Sequence, residues 1–67
     1  MRKRVLWNGR IIDLALFSVR GGGWTAHFCI EDHRADHVLV RPYETGQVFA
    51  SREAAEEVAI RLATKMI

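Results

Sequence analysis

The sequence predicts an α+β fold, a small antiparallel sheet of about three to five strands with one C-terminal α-helix packed on one face. Three observations carry this expectation. Apolar or small residues occupy every second position through Ile12, Leu14 and Leu16, again through Trp24, Ala26, Phe28 and Ile30, and again at Val38 and Val40. That period of two belongs to strands with one buried face. Each run is broken where a chain can reverse, at Asn8-Gly9, at Gly21-Gly22-Gly23 and at the polar stretch Asp32 to Asp36. From Ala54 onward the apolar period lengthens to that of a helix, with Ala54, Ala55, Val58, Ala59, Leu62, Ala63 and Met66 on one arc.

In chain order, the expected strands cover about 3–7, 10–20, 24–31 and 37–41, with a short last one over about 47–50, and the helix covers about 52–66. Asn8-Gly9 needs positive φ at both turn positions, which sets Trp7 opposite Arg10 and Val5 opposite Ile12. A three-residue loop at Gly21-Gly22-Gly23 sets Leu16 opposite Phe28 and Leu14 opposite Ile30. If His37 returns opposite Glu31, Val38 and Val40 join the inner face with Ile12, Leu14, Leu16, Ala26, Phe28 and Ile30. Pro42 has no N–H, so the ladder should fail or reach an edge there. Ser51 stands at the N-cap position, Glu53 suits the positive end of the helix dipole, and Glu57 and Arg61 form an (i, i+4) pair in the favoured order. Ile60 falls amid the charged side of that helix.

A chain of 67 residues is expected to form a single domain over 1–67. A domain this small buries only about 60% of its unfolded surface, which leaves no room for a large enclosed active site and makes self-association useful. Ten Lys and Arg against eight Asp and Glu give a net charge of +2. The excess gathers at Arg2, Lys3 and Arg4. One cysteine, Cys29, cannot form an internal disulfide, and neither a signal-peptide core nor a run of ~20 apolar residues is present, so the expectation is a cytoplasmic protein without a membrane segment.

The sheet face away from the helix is the expected functional surface. It is predicted to carry Ile11, Phe17, Val19, His27, Cys29, Leu39 and Arg41, an apolar centre at Phe17 with a polar rim. Such patches mark interfaces, and the simplest occupant is a second copy, giving a homodimer, or another protein. The rival expectation is a small nucleic-acid-binding protein using the basic first hairpin and its surroundings, Arg2, Lys3, Arg4, Arg10, Arg20 and Trp24. Chemistry of other kinds is not expected. His27 with Cys29 offers a base and a nucleophile by type, but on one flat strand with no cleft or oxyanion donors. His33 and His37 beside Asp32 and Asp36 lack the paired Cys and His spacing of a structural zinc site. The triple glycine joins two strands rather than leading into a helix, so no phosphate loop is indicated. Neither catalytic residues, nor a cofactor, nor a metal are therefore predicted.

The run Gly23-Trp24-Thr25-Ala26, with Ile30 beyond it, then Val48-Phe49-Ala50-Ser51-Arg52-Glu53-Ala54-Ala55 and Ala59, resembles a group of small uncharacterised bacterial proteins. In them a Gly-Trp-x-Ala strand precedes a Phe-x-Ser/Thr-x-x-Ala helix start, and the likeness spans Ile12 to Ile67. The strand-strand-strand-helix order is also similar to the arm-binding domains of tyrosine recombinases and to plant ethylene-response-type DNA-binding domains. That resemblance implies the fold, and the positions it matches, Phe49, Ala54 and their neighbours, are core positions that carry no functional residue across.

Overall fold

The computed structural model describes all 67 residues. Strands β1 (Arg2–Trp7), β2 (Arg10–Ser18), β3 (Trp24–His33) and β4 (Val38–Glu44) precede one helix, α1 (Arg52–Met66). The strands form one antiparallel sheet in the order β1-β2-β3-β4, and α1 packs on the two middle strands. Ile12, Leu14, Leu16, Ala26, Phe28 and Ile30 of the sheet meet Ala55, Ala59 and Ala63 of the helix in a buried core.

The first hairpin follows its turn. Asn8 and Gly9 take φ of 51° and 77°, and Trp7 faces Arg10, Val5 faces Ile12 and Arg4 faces Asp13, the twist-matched geometry of a two-residue turn. The second hairpin differs from expectation by two residues, with Leu14 opposite Phe28 and Leu16 opposite Ala26. A shift of two preserves faces. It arises because the three-residue loop sits one residue earlier, on Arg20, Gly21 and Gly22: Val19 N–H donates to the Gly23 carbonyl at 2.9 Å and Gly22 N–H to the Val19 carbonyl at 2.9 Å. Val19 flanks that turn, beyond the end of β2 at Ser18.

The third hairpin corrects the expected face of β4. Glu31 pairs with Val40 rather than His37, three positions on, and Phe28 pairs with Tyr43. An odd shift turns every side chain over. Leu39, Arg41 and Tyr43 come to the inner face, whereas Val38 and Val40 move to the outer one. Two forces favour this register. The Arg34 N–H donates to the His37 carbonyl at 2.8 Å, closing a tight turn instead of a wide loop. The Tyr43 ring stacks on Phe28, centroids 5.3 Å apart at 20°, covering more core surface than a valine could.

Thr45 N–H donates to the Ala26 carbonyl at 3.2 Å. With the Arg34–His37 bond, this fixes the alternation along β4: Leu39, Arg41 and Tyr43 turn their backbone groups toward β3, and Val38, Val40 and Pro42 turn theirs to the free side. Pro42 thus sits with its missing N–H at the open edge, and the strand continues to Glu44. The expected last strand is reduced to a single bridge between Phe49 and Trp24, with N···O distances of 2.7 and 2.8 Å.

Ser51 caps the helix, its Oγ accepting from the Ala54 N–H at 3.1 Å. The row Ala55, Ala59 and Ala63 is fully buried, and Ile60 packs against the core beside it, while Met66 is half-exposed. The helix is therefore rolled toward Ile60 relative to the predicted arc. Lys3 Nζ reaches Glu56 at 3.4 Å across that side.

Candidate binding surfaces

The outer face is a charged lattice with apolar ends. Across the strands run the rows Leu6-Ile11-Glu31-Val40, Arg4-Asp13-Cys29-Pro42 and Arg2-Ala15-His27-Glu44. Asp13 Oδ2 lies 3.5 Å from Arg2 Nη2 and 3.6 Å from Arg4 Nη1, and Arg4 Nη2 lies 3.5 Å from Glu31 Oε1. Asp13 Oδ1 is buried without a hydrogen-bond partner. Phe17 sits at one end, its ring edge-on to His27 at 5.1 Å, and Leu6 and Val40 lie exposed at the other.

On the inner face, the end of α1 at Met66 and Ile67 stands beside the end of the sheet near the β3–β4 turn without closing over it. A cleft of about 410 Å³ opens there, lined by Arg10, Arg34 and Arg41, by Asp32, and by the apolar flanks of Leu39 and Tyr43. Asp32 Oδ2 accepts from Arg34 Nε at 3.1 Å and lies 2.9 Å from Arg34 Nη2 and 3.6 Å from Arg10 Nε. Arg41 has no carboxylate within ion-pair distance.

The third surface is the free edge of β4. Val38, Leu39 and Val40 are consecutive and 49%, 41% and 53% exposed. The other edge, β1, begins Arg-Lys-Arg, a charged sequence that discourages strand addition.

Of the predicted interface residues, Ile11, Phe17, His27 and Cys29 share the outer face. Leu39 and Arg41 do not join them, because β4 is turned over, and Val19 lies beyond the end of β2. The predicted nucleic-acid set is dispersed: Arg2 and Arg4 are ion-paired on the outer face, Lys3 is held by Glu56, Arg10 lies in the cleft, Arg20 is in the distant loop, and Trp24 packs against the core. Arg34, Asp32, Tyr43 and the Val38–Val40 edge were missed. Their signal was the alternation Leu39-x-Arg41-x-Tyr43, which competes with Val38-x-Val40 for the inner face. The remaining histidines are engaged locally, His33 Nε2 3.0 Å from Glu31 Oε1 and His37 Nδ1 2.6 Å from Asp36 Oδ1, and no group of three or more His, Cys, Asp or Glu side chains is placed to hold a metal ion.

No protein-family model matches the chain, and neither a curated protein nor a solved structure matches it. No helix is long and apolar enough to cross a membrane.

Proposed function

We propose that the protein is a non-enzymatic interaction module that forms a homodimer through the open edge of β4. The observation that carries this reading is the run Val38, Leu39 and Val40, apolar and exposed on a strand with one unpaired side. Such an edge is a template for a further strand unless something covers it.

The backbone alternation selects a register. Val38 and Val40 direct N–H and C=O outward, whereas Pro42 can offer only its carbonyl. An antiparallel pair with Leu39 on the two-fold axis sets Val38 of each copy opposite Val40 of the other. Each such pair exchanges both of its hydrogen bonds, and Pro42 stays clear of the ladder. Shifting the axis to Val40 would put Pro42 opposite Val38 and lose bonds. Leu39 then meets its own counterpart on the inner face, and the two sheets become one.

The test is the solution mass of the wild type beside Val40→Lys. Val40 is exposed, so the variant retains its fold, while a lysine there replaces the apolar contact with the partner's Val38 and puts on the free edge the charged side chain that discourages strand addition. A wild-type dimer converted to monomer by Val40→Lys supports the reading. A wild-type monomer at high concentration overturns it, as does a dimer that survives Val40→Lys and is lost in Phe17→Glu, which would assign the contact to the outer face.

A further inference from the structure

We propose that the inner-face cleft binds a phosphomonoester dianion carried on an aromatic or apolar body. The proposal does not rest on dimerisation, since the residues it uses belong to one chain. Three elements deliver the charges: Arg10 begins β2, Arg34 opens the β3–β4 turn, and Arg41 lies on β4 opposite Ile30. Three guanidinium groups beside one side-chain carboxylate leave two positive side-chain charges around one cleft. That matches a phosphomonoester near neutral pH and exceeds what one carboxylate ligand would balance.

Asp32 is the organising residue. A single oxygen, Oδ2, holds Arg34 through Nε and Nη2 at 3.1 and 2.9 Å and draws Arg10 to 3.6 Å. Its side chain is only 24% exposed, so it anchors both cations from beneath with reduced screening by solvent. Neither arginine has a second carboxylate partner, leaving N–H donors free on planar forks suited to phosphate oxygens. Arg41 contributes an uncommitted third group. Beside these donors, Leu39 and Tyr43 present apolar surface at the mouth, where the ester's organic part would rest. The cleft's size, about 410 Å³, falls within the range of small-molecule sites.

The experiment is a calorimetric titration of the full chain with phenyl phosphate, inorganic phosphate and benzoate. Phenyl phosphate is expected to saturate one site per chain and to bind about tenfold or more tightly than either of the others, because only it offers both the dianion and the ring. Arg41→Ala should weaken it by about tenfold or more, as loss of a charge-assisted contact does. Arg20→Ala, at the far end of the sheet and likewise without a carboxylate partner, should leave binding unchanged. Arg34→Gln is the second variant, expected to weaken binding as Arg41→Ala does. Absence of saturable binding by phenyl phosphate overturns the proposal. Equal losses in Arg20→Ala and Arg41→Ala also overturn it, because they would mean diffuse attraction to net charge.

Discussion

Gly23 shows how much one residue can be asked to do. Its φ of +96° lies where a side chain is strained, and a Cβ built there would stand 2.6 Å from Val48 Cγ1 and 3.0 Å from the Phe49 carbonyl oxygen. Gly22 has a similar φ of +108° but nothing within 4 Å. The two positions therefore separate backbone strain from steric conflict. Gly22→Ala should cost about 1–2 kcal/mol, the price of the left-handed region alone. Gly23→Ala should cost measurably more, because the backbone carbonyl cannot swing aside as a side chain can. Thermal denaturation of the two variants checks the order, and equal melting temperatures would show that the Phe49 segment yields freely. The close approach also explains why Trp24 can bridge Phe49: a side chain at position 23 would hold that segment off.

At the scale of elements, legibility depended on whether a segment carries a local signal. Asn8-Gly9 specifies its turn by φ sign, and the register of β1 on β2 followed. Ser51 and the alanine row specify the helix, found over Arg52–Met66. The β2–β3 register slipped by two, since three adjacent glycines permit several loops, yet the faces survived because the strand period is two. The segment from Arg34 to His37 contains neither glycine nor proline, so nothing local selected its turn, and an odd error displaced Leu39 and Arg41 from their true face. The cleft was illegible for the same reason: Arg10, Asp32, Arg34 and Arg41 meet only when that register is known. The helix offers its own test. Ala55, Ala59 and Ala63 are 0% exposed and set the distance between α1 and the sheet. Ala59→Leu should destabilise by about 1–3 kcal/mol through overpacking, despite the better transfer energy of leucine. A denaturation midpoint unchanged from wild type would mean that the layer has slack.

Across the whole molecule, the charge is distributed otherwise than the sequence suggests. Arg2, Lys3 and Arg4 are each matched by an acid, so the basic arm is spent within the fold. The lysine and arginine side chains without a carboxylate in range are Arg20, Arg41 and Lys65, set on a loop, a strand and the last helical turn. The helix covers only the middle of the sheet, which leaves β1 and β4 as overhanging margins. Only β4 combines an apolar free edge with an arginine-lined flank, and both proposed binding surfaces converge on it.

The strand order also bears on time. Each strand pairs with its neighbour in the chain, so the sheet is assembled from hairpins whose loops are short and quick to close. The exception is the helix terminus, where Asn8 Nδ2 donates to the Ile67 carbonyl at 2.8 Å across 59 positions. A contact of that separation belongs after the rate-limiting barrier, and its loss should act on escape from the native state rather than on arrival. Asn8→Gly keeps the turn's positive φ and removes the amide. Stopped-flow kinetics should show an unchanged folding rate and unfolding faster by a few-fold, and a slowed folding arm would place helix docking within the nucleus instead.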